Sequence, residues 1–315
     1  MGSQQAQTPV LVVLGPTASG KTAVAIELAR RTSGEVISAD SRAFFTGLDI
    51  VTDKPSLNER GGIPHHLIDC VPIDGAYDAM AFRADVARLL AEIRNRHHQP
   101  IIAGGGTLYL EAILHGIFEG AAKDEDLRSK MAEQSIDDLF RELESVDPVA
   151  AEKIHPNDRM RITRALEVYR TTGKEMSKWQ SEAEPLRGAF HVVGLSRERS
   201  QHRIVIEERV RQMLDHGVIE EIAQLRTQRL TQDMQAYRTI GVPEAFEVLD
   251  NKMTTEEFVQ AVSNRTWQLV RRQMAWFRRD EGVRWIDVTG QTAGDVSTQI
   301  LLEWGVDSEA TESRT

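Results

Sequence analysis

The segment GPTASGKT, Gly15 to Thr22, lies between the apolar run VLVVL and the amphipathic stretch AVAIELARR. It fits the pattern G-x-x-x-x-G-K-[ST] in its required setting, where a strand turns into a helix. Backbone N–H groups of Ser19 to Thr22 then face an anion, the helix start adds partial positive charge, and Lys21 adds a full one. Gly15, Pro16, Thr17, Ala18, Ser19, Gly20, Lys21 and Thr22 are therefore the candidate diphosphate- or nucleotide-binding residues, with the Thr22 hydroxyl a ligand for Mg²⁺. Whether such a loop holds a phosphate to be transferred or one to be discarded depends on its neighbours. An NTPase or kinase needs an acid at the end of a nearby apolar strand to hold Mg²⁺. The best such strand, PIIAGGG, ends in glycine, although other apolar runs end at Asp69 and Asp287. Asp40 ends a different strand, in SADSRAFFTGLDIVTDKP, on the sheet edge that the P-loop occupies. A carboxylate there is a candidate general base; as a bare pattern it is equally a turn or cap residue.

The elements that must position these groups alternate at first. VLVVL, a helix from Thr22 to Arg31, the strand GEVISAD, a helix capped by Asp78 with Phe82, Val86, Leu89, Leu90 and Ile93 on one face, and QPIIAGGG predict a parallel sheet covered by helices. From about Ala121 the pattern is helical, with starts at Ser135, at Asp147-Pro148 and at Asn157 and a stop at Gly173. A strand returns as FHVVGLS, helices continue to about Arg279, and VRWIDVTG reads as the last strand. The fold class is α/β, a P-loop NTPase-like parallel sheet with an all-helical insertion. The expected division is 1–120 with 189–305 as the catalytic core, 121–188 as the insertion and 306–315 as a disordered tail.

The 315 residues carry a net charge of -10, which repels a phosphate backbone on average, yet the distribution is uneven. Ser263 to Arg279 holds five Arg and no acid, and Asn157 to Lys174 holds four Arg and one Lys against two acids. No run has the length of a membrane span and the first residues lack a secretory pattern, so a cytoplasmic location away from membranes is expected. Cys70 is the only cysteine, which excludes a disulfide within the chain; it reads as a small buried side chain. His65 and His66 have no further ligand at zinc-finger spacing.

Eight blocks in order, GPTASGKT, SADSRAFFTGLDIVTDKP, GGIPHHLID, AGGGTLYLEAILHG, HPNDRMRITRALEVYRTTGK, RVRQMLDHGVIEEIAQL, MQAYRTIGVPEAF and TWQLVRRQMAWFRRD, resemble the signature blocks of the tRNA dimethylallyltransferases over residues 10 to 285. The resemblance implies transfer of a dimethylallyl group from dimethylallyl diphosphate to N6 of the adenosine 3′ of the anticodon, with Mg²⁺ and release of diphosphate. It implies tRNA as macromolecular partner, through its anticodon stem-loop, with no obligate protein partner and a monomeric state. It assigns Asp40 as the catalytic carboxylate and Arg209 to the diphosphate. The surroundings of Asp40, including Ser41 and Arg42, are expected to contact tRNA. Arg161 and Arg164, three residues apart on one helix face, match an element that touches tRNA, with Met160 in place of its Gln.

The chain departs from the family pattern at informative places. GGTGLY reads GGGTLY, so the family's active-site Thr falls on Gly106 and Thr107 is displaced by one, either a substitute or a helix cap. DSxQVY reads DSRAFF, which puts Ala43 where an adenine-contacting Gln is frequent. In the last long helix a Thr254/Glu257 capping box precedes an expected inward stripe of Phe258, Val262, Leu269 and Trp276. Trp267, Arg271 and Arg278 then face outward as a surface for an unpaired base and its phosphates. Two rivals use the same loop: an adenylate isopentenyltransferase acting on free AMP, ADP or ATP, and a nucleotide kinase or NTPase. A tRNA-binding protein that has lost catalysis is the reading that Gly106 and Ala43 would favour.

Overall fold

A computed structural model describes residues 8–118, 124–228 and 230–305. Two compact units emerge, Met1–Leu110 with Arg187–Thr315, and Glu111–Leu186. The expected start of the insertion at Ala121 and the expected tail at 306–315 lie outside the described residues.

In the first unit the chain runs β1 (Val10–Leu14), α1 (Lys21–Thr32), β2 (Gly34–Ser38), α2 (Leu57–Arg60), β3 (His65–His66), α3 (Ala79–Asn95) and β4 (Gln99–Gly104), and the division between the units falls within α4 (Thr107–Leu114). The second unit holds α5 (Glu125–Ala132), α6 (Ile136–Val146), α7 (Pro148–Lys153), α8 (Arg159–Thr172) and α9 (Met176–Ser181). The first unit then resumes with β5 (Phe190–Ser196), α10 (Arg199–Asp215), α11 (Val218–Thr227), α12 (Val242–Leu249), α13 (Thr255–Phe277), β6 (Arg284–Asp287) and α14 (Ala293–Trp304). The six strands are all parallel, in the order β3-β2-β4-β1-β5-β6. β1 lies inside the sheet, so both its faces are covered and VLVVL is apolar throughout rather than alternating. Leu11, Val13, Val36, Ile101, Val193 and Leu195 pack with Val24, Leu28, Val296 and Ile300 into one core. Asp78 caps α3 by accepting from the N–H groups of Met80 and Ala81, and the buried face holds Phe82, Val86, Leu89, Leu90 and Ile93 as spaced in the sequence.

Several expectations fail for local reasons. VRWIDVTG holds the last strand, β6, as expected, but it does not close the ordered region: α14 follows, started by a Thr292/Asp295 capping box and packed on α1. Cys70 is exposed, because the neighbouring Leu67 and Val71 take the inward positions and Val71 bridges to Phe45. On α13 Phe258 and Val262 are buried as expected, but Val259, Val270, Gln273 and Phe277 complete the buried face while Leu269 and Trp276 are only half-buried. Gln273 is held inward by partners on the glycine loops, as described below.

The second unit has its own core, in which Leu139, Leu143, Ile162, Leu166 and Val168 pack together. Its fully buried charge, Glu167, accepts from Arg128, Arg164 and the N–H of Asp124. Burial pushes this carboxyl up, but the Arg128 and Arg164 hydrogen bonds overcome it and bring it down to about 2. Asp158, rather than Asn157, caps α8.

Candidate active site

At the carboxyl edge of β1, β2 and β4 the first unit encloses a cavity of about 890 Å³. Thr17, Ala18, Gly20, Lys21 and Thr22 line it, whereas Gly15, Pro16 and Ser19 lie beneath and do not. Ala18 and Gly20 take left-handed φ values of 60° and 86°, which wraps the loop around the start of α1. The first N–H groups of α1 lack partners within the helix and are free for an anion. Ser19 Oγ is buried and has no hydrogen-bond partner. Lys21 Nζ donates to the Pro16 carbonyl at 2.6 Å. Burial lowers its pKa to about 8, with the Asp40 charge opposing that drop and Arg209 adding to it.

Three side chains from elsewhere in the chain fix Thr17 at three points. Gln273 Oε1 accepts its N–H at 3.0 Å, His202 Nε2 donates to its carbonyl at 2.8 Å, and Arg209 Nη1 donates to its hydroxyl at 3.0 Å. Arg209 was expected at the diphosphate; His202 and Gln273 were not expected at all. Their signal was present in the sequence. His202 falls on the stripe of Ile206, Val210 and Met213, and Gln273 on that of Val270 and Phe277, each a polar group on a face that should be apolar.

Three consecutive glycines after β4 are set by close approach. A Cβ on Gly104 would come within 2.3 Å of the Ala39 backbone, one on Gly105 within 2.6 Å of Gln273 Nε2, and one on Gly106 within 2.7 Å of the Ala39 carbonyl. Gln273 Nε2 also donates to the Gly105 carbonyl at 2.7 Å, tying the loop after β4 to the P-loop. Gly104 and Gly106 therefore have no room for a side chain beside the Ala39 backbone, whereas the contact at Gly105 is with the end of the Gln273 side chain. Asp69 and Asp287, the other strand-end acids, are engaged by Lys54 and by Thr289. The Gly106 contact equally leaves no room for the family's threonine with this backbone. Thr107 begins α4, half-buried, on the cavity wall.

Asp40 follows β2, exposed and facing the same cavity, and its Oδ1 accepts from the Arg42 N–H at 2.9 Å. Ser41, Arg42 and Gly106 line the cavity with it. Ala43 does too, but at 7% exposure and with no polar atom on its side chain it offers a wall and no hydrogen bond. Arg42 Nη1 donates to the Gln235 carbonyl at 3.0 Å. Arg197, Arg238 and Arg272 add positive charge to the lining, where Arg265 is paired with the buried Glu244. The acidic chain thus concentrates cations in its cavity, which focuses an attractive field on an anionic ligand.

The remaining expected tRNA residues divide. Arg271 and Arg278 are exposed on α13. Trp267 is not an open stacking platform: it is half-buried, edge-on to His202 at 5.9 Å and under the guanidinium groups of Arg199 and Arg203. These arginines come from α10, so no single-helix pattern would show them. In the second unit Arg161 is exposed and pairs with Asp158, whereas Arg164 is committed to Glu167. Among the described residues no group of three or more His, Cys, Asp or Glu is placed to hold a metal ion; His66 instead meets Glu35.

The family model for IPP transferase matches residues 43–280. A tRNA dimethylallyltransferase of Anoxybacillus flavithermus is 38% identical over 297 residues, covering 94% of this chain and 95% of that one. The full-length tRNA isopentenylpyrophosphate transferase of Bacillus halodurans superposes with a TM-score of 0.71 at 32% identity, covering 96% and 97% of the two chains. A eukaryotic dimethylallyltransferase described as acting on tRNA gives a TM-score of 0.81 at 27% identity, covering 93% of this chain and 78% of that one.

Proposed function

The chain belongs to the IPP transferase family, and from that membership we propose that it transfers a dimethylallyl group from dimethylallyl diphosphate to N6 of the adenosine 3′ of the anticodon in tRNA. The observation that carries this reading is the single cavity shared by the P-loop, Lys21, Arg209 and Asp40. It contains what leaving-group departure and N-alkylation need, and the end of β4, where a kinase would place an acid, carries Gly104, Gly105 and Gly106 instead.

In the reaction the carbon–oxygen bond of the allylic diphosphate breaks while a bond forms from N6 to that carbon. The bonding electrons leave with the diphosphate, whose growing charge is met by Lys21, Arg209 and the N–H groups of the loop. The adenine N6 lone pair is delocalised into the ring and is weakly nucleophilic. Asp40 accepts the N6 proton as the new bond forms, leaving neutral N6-alkyl adenosine. The target base must leave its stack to bring N6 to Asp40. Thr22 lies exposed on the cavity wall and would hold Mg²⁺ through its hydroxyl, an oxygen donor of the kind this ion takes. When bound, it neutralises charge on the leaving group.

The test is incubation with dimethylallyl diphosphate, Mg²⁺ and an anticodon stem-loop carrying three consecutive adenines, followed by mass spectrometry. The expected result is a dimethylallyl mass gain at the middle adenosine that is lost in Asp40→Asn. Transfer to AMP with none to the stem-loop would replace this reading by an adenylate isopentenyltransferase.

A further inference from the structure

Arg209 is not waiting unpaired for its ligand. Its Nε lies 3.1 Å from Asp53 Oδ2, while Nη1 donates to Thr17 and Nη2 to the Thr52 carbonyl at 3.3 Å. Asp53 is 61% exposed on its side chain, against 23% for Arg209, and both line the cavity. The carboxylate is the more exposed partner, it is close to a buried Nε that makes no hydrogen bond, and it shares the cavity lining with the guanidinium that an incoming anion would meet.

The backbone holds Asp53 there at some cost. Its φ is 55°, the left-handed region that a non-glycine residue rarely takes, and its N–H donates to the Ile50 carbonyl at 3.0 Å. The segment before it is strapped down by Glu221 of α11, whose carboxylate accepts the N–H groups of Asp49, Ile50 and Val51 at 2.8, 2.7 and 3.0 Å. Lys54, buried just after it, pairs with Asp49 and Asp69. A segment anchored on both sides delivers one exposed acid to the arginine next to the P-loop.

We propose that Asp53 is a resident counter-anion for Arg209, which the diphosphate group of the substrate displaces on binding, so that Asp53 sets how tightly diphosphate is held. With the cavity empty, Asp53 offsets an arginine whose charge already bears on Lys21. When diphosphate arrives, Arg209 exchanges a carboxylate for phosphate oxygens, and the exchange subtracts from the net affinity. The same subtraction acts on the product, because the released diphosphate must leave the same arginine. Asp53 acts through Arg209, so it is a positioning residue. This inference rests on the proposed prenyl transfer.

The test uses the full chain and inorganic diphosphate with Mg²⁺ as probe. Asp53→Asn keeps the size, suits a left-handed φ and removes the charge. Calorimetry is expected to give diphosphate binding about two- to fivefold tighter in Asp53→Asn, the range set by a partly exposed ion pair. Product inhibition by diphosphate should strengthen by the same factor. Asp53→Gly, which also suits φ 55°, should behave likewise. In an Arg209→Gln background Asp53→Asn should have no effect, a result that a merely structural role of the segment would not produce. Unchanged or weaker diphosphate binding in both Asp53 variants, with the wild type active on tRNA, would overturn the counter-anion role and leave prenyl transfer standing. Absence of diphosphate binding by the wild type would overturn both.

Discussion

Two carboxylates five residues apart, Glu35 in β2 and Asp40 just beyond it, stand at opposite ends of the same strand and have opposite fates. Glu35 is 2% exposed and fully engaged: Arg96 bonds both its oxygens at 2.8 and 2.7 Å, His98 one at 2.7 Å and His66 the other at 2.6 Å. The Arg96 hydrogen bonds, foremost, outweigh burial and hold its carboxyl down at about 2. Asp40 is exposed, takes one backbone N–H from Arg42, and faces a cavity lined with cations. At the amino end of the strand the chain neutralises its own charge, and stability is the result. At the carboxyl end charge is left for a substrate, and the glycine contacts, the left-handed loop and the threefold hold on Thr17 keep it in place.

This contrast is broken most severely at Asp40. Asp40→Asn should lower kcat by about 10²- to 10⁴-fold, the usual contribution of a positioned general base. Binding of diphosphate, measured by calorimetry, should change little. A comparable loss in Glu35→Gln, measured below its unfolding temperature, would erase the distinction between the two ends.

The next effect comes from Lys21. Its pKa of about 8 in the free protein means that it must regain a proton to meet an anion above that pH. Diphosphate affinity should therefore be level below about pH 8 and weaken above it, by about tenfold per pH unit, with proton uptake on binding. Lys21→Arg, charged throughout, should flatten the profile.

Glu35→Gln should cost about 1–3 kcal/mol of stability at pH 7, the value of hydrogen bonds to a charged group, while leaving kcat at 25 °C unchanged. Glu35 has a folded pKa below its ordinary value of 4.5, so its contribution is complete above that pH and is lost as the pH falls through about 2. Thermal unfolding followed from pH 5 downward should show this acid limb in the wild type and a smaller one in the variant.

The smallest change is expected from Trp267→Phe. With Arg199 and Arg203 over its ring, the substitution should cost about 0.5 kcal/mol and alter the KM for tRNA less than twofold. A tenfold rise in that KM would instead make Trp267 a surface for a tRNA base.

The P-loop, Asp40, the face of α3 and the cap at Asp78 were legible because each is a local pattern: a glycine spacing, a strand end, a 3.6-residue period, a capping side chain. β3 was too short to carry a period, and the Thr292/Asp295 box that starts α14 follows β6, the final strand, with which the ordered region was expected to close. Cys70 was misplaced because its neighbours, not its own type, decide which side chains turn inward. The inward place of Gln273 on α13 depends on partners more than 160 residues away, Gly105 and Thr17, which no window along the chain contains.

The sequence by itself determined the chemistry that is available: an anion loop with its lysine, a carboxylate at the same sheet edge and, through the family resemblance, an arginine for the diphosphate. Only the tertiary structure decided which of these groups are free and which are already spoken for. Arg164 is spent on a buried glutamate, Trp267 is covered by arginines of another helix, and Arg209 is met by both Thr17 and Asp53. The physical reason is that residue type and period fix what a side chain can do and which face it takes, whereas a charge is quenched or left available by neighbours that long-range packing brings within about 3 Å.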